Sequence, residues 1–225
     1  MRTNLNHRGF TLIELLIVIS IIALLIGMLL PALGKARDAS RQIKCAAQVR
    51  QIGLALEAFA NEHEERYPIA GNDLDWDVID GVTQKPSWMQ QLFDYLPNKE
   101  FFSGCPTYPQ DSPYHYFLGT RAAWVHQPVA TRKFMAVDRR LVKLPSALVL
   151  GGDNNRTFNV TDADKDDYTQ PCAYFEPWSN ENWEPHHNGG LNVLFADGHV
   201  CFHREFDAGR MTYRYDTMQA WEETP

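Results

Sequence analysis

From Phe10 to Leu33 the chain runs through 24 residues with a single charge, Glu14, and between Leu15 and Leu30 only Ser20 and Gly27 break the apolar series. A helix rises 1.5 Å per residue and needs about 20 apolar residues to cross the roughly 30 Å hydrocarbon layer of a bilayer. This run reaches spanning length and exceeds the roughly 7–15 apolar residues of a removable secretory signal. Because it is apolar on every side, it does not fit the surface of a soluble domain, and whatever the chain folds into must carry a membrane segment at its start. Arg2 and Arg8 precede the run, whereas Lys35, Arg37, Arg41, Lys44 and Arg50 follow it against one acid, Asp38. The basic head suits a cytoplasmic surface, yet the second flank is richer in cations, so charge counting alone leaves the topology open.

Beyond the apolar run the period stays helical and becomes one-sided. Cys45, Val49, Ile52, Leu56, Phe59 and His63 recur every three or four residues as one stripe, while Arg41, Gln48, Arg50, Gln51, Glu57 and Glu62 face away. One helix from Phe10 is expected to end near Arg66, since Pro68 restricts its predecessor and cannot continue the hydrogen-bond ladder. At about 55 residues such a helix would measure on the order of 80 Å. Gly27 and Pro31 predict a kink or local loosening within it.

The remainder is punctuated by Pro86, Pro97, Pro106, Pro109, Pro113 and Pro128, which reads as loops around a short helix near Ser87–Leu96. Strand patterns appear at Ala147–Leu150, ending at Gly151-Gly152, and then at Leu191–Ala196 and His199–Arg204. The Asp197-Gly198 link between the last two predicts a two-residue type I′ hairpin. The fold class is therefore α+β: a long N-terminal helix, half transmembrane and half amphipathic, packed on a small antiparallel sheet. From Gln51 onward there are 14 Lys and Arg against 26 Asp and Glu, a formal charge of −12. Nucleic acid is not expected as a partner, because its recognition needs clustered cations to displace counterions.

The residues Arg8-Gly9-Phe10-Thr11-Leu12-Ile13-Glu14-Leu15-Leu16 resemble the type IV prepilin signal. That resemblance implies cleavage between Gly9 and Phe10, N-methylation of Phe10, and a role for Glu14 in joining subunits into a filament. Physical chemistry supports the last point independently, because an ionised carboxylate in an apolar helix is costly in lipid and calls for a cation. The α-amino group made by cleavage, on the same chain or a neighbour, is the obvious one. A second stretch, His187 to Val200, is similar to the H-x9-DG element of pseudopilin-like proteins through His187, Asp197 and Gly198, and Cys45 to Pro68 and Cys105-Pro106 also look like that group. The resemblance implies a leader over 1–9, a transmembrane and assembly helix over 10–34, an amphipathic continuation over 35–66 and a globular pilin-like domain over 67–225. It further implies a non-enzymatic pseudopilin of a type II secretion-like or type IV pilus-like filament, single-pass in the cytoplasmic (inner) membrane, with its body in the periplasm or outside the cell. The implied partners are a prepilin peptidase/methyltransferase, other pilin-like subunits, an inner-membrane assembly platform and the lipid bilayer. The alternative is a membrane-anchored glycan- or substrate-binding protein that does not polymerise, using tryptophans among Trp76, Trp88, Trp124, Trp178, Trp183 and Trp221, with Trp178 and Trp183 the expected exposed pair.

Three further groupings invite chemistry. His186, His187, Asp197, His199 and His203 could be drawn as a metal site, but on a strand His199 and His203 stand about 13 Å apart. The favoured reading is structural, with Asp197 and Gly198 making the turn and His187 bonding backbone or capping the strand pair. Asp162, Asp164 and Asp166 alternate carboxylates as a calcium loop does, although Asp167 and Ala173 replace the glycine and glutamate of an EF-hand, and a solvated acidic loop competes. Calcium loops also occur in the pseudopilins this chain resembles. Four cysteines allow three pairings: Cys45 on the apolar stripe is matched with Cys105, leaving Cys172 with Cys201, against the competing reading of buried free thiols. No Gly-rich phosphate loop and no Gly-x-Ser-x-Gly elbow is present.

Overall fold

Helix α1 spans Leu12–Glu62 in the computed structural model, which describes residues 10–69, 77, 79, 81, 83–107, 115–119, 136–153, 187, 189–204, 207 and 209–212. Gly9, Cys172, the acidic residues Asp162, Asp164 and Asp166, His186, and every tryptophan except Trp88 lie outside the described residues. Helix α1 runs as one helix through Gly27 and Pro31. It also ends four residues before the expected Arg66. Glu64 and Glu65 adopt left-handed φ values of 56° and 66°, and the Glu65 amide donates to the Ala60 carbonyl at 2.9 Å. This left-handed closure satisfies the last carbonyls before Pro68 has any say.

The chain divides into two compact units, Met1–Ser40 and Arg41–Pro225. In the first, the apolar side chains from Leu12 to Leu33 stay exposed, and the helix is long and apolar enough to cross a membrane. In the second, Cys45, Val49, Ile52, Leu56 and Phe59 are buried as the stripe foretold, joined by Gly53, Ala55 and Ala60. His63, at the end of the stripe, is exposed, and its ring stacks on Phe59 with centroids 3.7 Å apart. Two residues expected to face away are engaged instead. Gln48 Oε1 accepts from the Tyr116 hydroxyl at 3.0 Å, and Glu57 accepts from Tyr67 and from Arg139. Both sit at the border of the stripe, where a long polar side chain bends back to satisfy groups at the core's edge.

Four antiparallel strands complete this unit in the order β1-β2-β3-β4: β1 Tyr116–Leu118, β2 Val149–Asp153, β3 Leu191–Phe195 and β4 Val200–His203. Leu118, Leu148, Leu150 and Leu194 join the helix stripe, Trp88, Met89, Leu92 and Phe102 in one core. Trp88 opens a short helix, α2 (Trp88–Gln91), capped by Ser87, whose hydroxyl accepts from the Gln90 amide at 3.3 Å.

Strand β2 does not stop at Gly151-Gly152 as the sequence suggested; it runs through both to Asp153. A Cβ on Gly152 would stand 2.6 Å from the Asn192 carbonyl and 2.9 Å from the Phe117 ring, so the glycines mark close approach inside the sheet, not its edge. The β3–β4 hairpin also differs from expectation. The Gly198 amide donates to the Phe195 carbonyl at 2.9 Å, the Phe195 amide donates to the His199 carbonyl at 3.0 Å, and only Gly198, at φ 84°, is left-handed. The link is thus a three-residue loop with a glycine bulge, because a type I′ turn would require Asp197 to be left-handed as well.

Candidate functional site

The start of α1 is built by four residues. The Thr11 hydroxyl accepts from the Glu14 amide at 3.2 Å, while Glu14 Oε2 accepts from the Thr11 amide and hydroxyl, each at 2.9 Å. This is a reciprocal capping box, legible as Thr-x-x-Glu and overlooked in reading Glu14 only as an assembly residue. The carboxylate expected to need a cation thus holds two local donors. Phe10, the expected N-methylated residue, is exposed immediately ahead of this cap.

A second constellation lies inside the body. Cys45 of α1 is joined to Cys105 by a disulfide with a Cα–Cα distance of 5.2 Å. Both are buried, and so are His187, immediately before β3, and Asp153, the last residue of β2. His187 Nε2 lies 3.4 Å from Cys105 Sγ and 3.2 Å from Asp153 Oδ2. The half-buried Thr107 hydroxyl stands 3.1 Å from Cys105 Sγ and 3.1 Å from His187 Nδ1. Asn192 fixes the carboxylate, donating to Asp153 Oδ2 from its amide at 2.9 Å and from its side chain at 2.6 Å. Burial, with the Asp153 charge nearby, pushes the Tyr116 phenol well above its ordinary range. Four chain segments far apart in sequence meet here.

The ring of His187 therefore does something other than the backbone bonding expected of it. Its carbonyl closes a turn by accepting from the Gly190 amide at 2.9 Å, but among the described residues its ring meets side chains. Asp197 and Gly198 occupy the hairpin loop, where Asp197 Oδ1 accepts from the His199 amide at 3.1 Å. His199 stacks on Phe195 at 4.3 Å and His203 meets the same ring edge-on at 5.8 Å, so both histidines serve as ring partners there. Cys201 carries a free, exposed thiol. Cys172, the partner expected for it, lies outside the described residues, and Cys201 itself pairs across to Val193 from edge strand β4.

Among known proteins, residues 4–30 match the family described as a prokaryotic N-terminal methylation motif, and residues 34–108 match one described as a protein of unknown function (DUF1559). The type IV major pilin protein PilA of Myxococcus xanthus is 34% identical over 73 residues, which is 32% of this chain and 33% of that pilin. The chain therefore spans about a third of the length of the curated relative it matches. No solved structure matches it. With the methylation motif leading into a capped apolar helix that continues as the spine of a four-stranded antiparallel body, the chain is prepilin-like and has an α+β pilin-like fold.

Proposed function

We propose that the chain is a structural filament subunit, a pseudopilin of a type II secretion-like or type IV pilus-like system. The observation that carries this reading is the segment Leu12–Leu33, whose apolar side chains are exposed and most of which lies within the match to the methylation motif. Such a surface is covered first by lipid and then, in a filament, by the same segment of neighbouring subunits. A prepilin peptidase/methyltransferase would cut between Gly9 and Phe10 and methylate Phe10, and the new amine would lie beside the Glu14 carboxylate. On assembly Glu14 exchanges part of its bonding to Thr11 for a subunit amine, so that register becomes part of the contact. The leader is then 1–9, the assembly helix 10–34, its amphipathic continuation 35–66 and the body 67–225, held outside the cytoplasmic membrane by one span. Force for assembly comes from a platform and an ATPase on other chains.

Mass spectrometry on protein from its native membrane tests this directly. The expected chain starts at Phe10 and is heavier by one methyl group, and Glu14→Ala inserts normally but yields no filaments. A chain still starting at Met1, or one that forms no filaments and whose surface display is unchanged by Glu14→Ala, would overturn the proposal and favour a tethered binding protein.

A further inference from the structure

The Cys45–Cys105 bridge has a histidine and a hydroxyl drawn up to it, and behind the histidine a carboxylate. Burying an imidazole and a carboxylate costs free energy unless their partners return it. Here the return is incomplete: Asp153 is 1% exposed, and while Oδ2 is bonded, Oδ1 has no hydrogen-bond partner among the described residues. A carboxylate left half-satisfied beside a buried histidine favours a positive charge close to it.

The ligand geometry is close to that of a tetrahedral ion. The two Sγ atoms and a His187 ring nitrogen all lie within 4.8 Å of one another, and among the described residues they are the cluster that brings three potential ligands so near. A zinc-class ion with bonds of about 2.3 Å to sulfur and about 2.0 Å to nitrogen places its ligands roughly 3.5–3.8 Å from each other. His187 Nε2 already stands 3.4 Å from Cys105 Sγ and 3.2 Å from Asp153 Oδ2. Once the bridge is opened, the sulfurs reach that spacing by side-chain rotation.

We propose that, in its dithiol state, this cluster is a binding site for a zinc-class divalent ion, with Cys45, Cys105 and His187 as ligands and a fourth position left for water. The chemistry balances. Two equivalents of a small thiol reduce the bridge, the S–S bond breaks, two thiols form, and the reductant leaves as its disulfide. The metal then displaces one proton from each thiol and binds two thiolates and a neutral imidazole. Bridge and ion are thus alternative staples for the same junction between α1 and the sheet, and reducing conditions exchange one for the other.

The test uses the full chain in detergent on a Cys172→Ser/Cys201→Ser background, reduced with excess monothiol and freed of it under argon. Cobalt(II) is the probe. Expected are thiolate-to-cobalt charge transfer and tetrahedral d–d absorption at one ion per chain, absent from the bridged chain, with affinity lowered at least about tenfold in His187→Gln. Reduced chain that gives no such bands, or His187→Gln that gives them undiminished, overturns the proposal. Should His187→Gln fail to fold, X-ray absorption of zinc on the reduced background chain decides: two sulfurs with one imidazole support the site, and a shell without imidazole refutes it.

Discussion

Gly152 stands where no side chain fits, between the Asn192 carbonyl and the Phe117 ring. Because one obstacle is backbone, the strands cannot yield without breaking the β2–β3 register, and Gly152→Ala is expected to cost about 3 kcal/mol in denaturant unfolding. Gly27→Ala, with nothing within 4 Å of its added carbon, should leave the body's unfolding unchanged. His203 supplies a pH signature. Burial holds its imidazole below the ordinary 6.5, with Asp207 opposing and His199 and Arg210 reinforcing the shift. The unfolded chain therefore takes up the proton first on acidification, so this contribution to stability is full above 6.5 and is lost as pH falls toward the lower native value. The melting temperature should drop as pH falls below 6.5, and His203→Phe should flatten part of that drop; an identical profile in the variant would refute the assignment. At this scale Glu14 and His187 were legible as special residues, but their partners were less so. Thr11 is three residues from Glu14 and was readable as a capping pattern. Asp153 and Thr107 are far from His187 along the chain, and nothing local in their sequence marks the meeting.

The elements that could be read from periodicity are those whose burial repeats along one chain segment. The stripe from Cys45 to Phe59 is such a case, and so are the β3 and β4 runs. Where the outcome depends on a second segment, local signals misled: Gly151-Gly152 looked like a strand's end because the strand pressing against it is remote, and Glu57 looked solvent-facing because Arg139 comes from a distant loop. That arginine latches the end of α1. It donates to Glu57 at 2.7 Å and to Asn61 at 2.6 Å, and pairs with Glu65. The Glu65 and Glu57 carboxylates raise its already high pKa despite partial burial. Because the site is part-exposed, Arg139→Ala is expected to cost about 1–2 kcal/mol, and Arg139→Lys should recover little, since an ammonium cannot serve three acceptors from one plane. The bridge acts on the same helix at the first residue of its buried stripe. Cys45 and Cys105 are 60 residues apart, and closing a loop of that size stabilises by about 4 kcal/mol in the chain-entropy view. Cys45→Ala/Cys105→Ala should lower the unfolding midpoint accordingly in metal-free buffer, and an unchanged midpoint would show that the native state pays for the bridge in strain.

At the scale of the whole molecule the two units differ in kind. Among the described residues every member of the buried core lies at Cys45 or beyond, while the apolar side chains of Leu12–Leu33 are exposed. Stability of the body and attachment to a membrane are then separable properties carried on one continuous helix. A chain beginning at Arg41 should for that reason be soluble without detergent, retain the Cys45–Cys105 bridge and unfold cooperatively. Removing residues 1–40 exposes four amide groups at a new helix start, and fraying there should cost no more than about 1–2 kcal/mol, because Cys45 is pinned to Cys105 one turn in. The −12 charge of residues from Gln51 onward favours solubility of the released body and disfavours its self-association. Gel filtration with light scattering, and thermal unfolding followed by circular dichroism, check the expectation. A monomeric body with one sharp transition would place the whole folding information in Arg41–Pro225. An aggregated body, or one that melts without cooperativity, would mean that the apolar half of α1 contributes to the fold as well as to anchoring, and that the filament proposal must account for a subunit that cannot leave the bilayer folded.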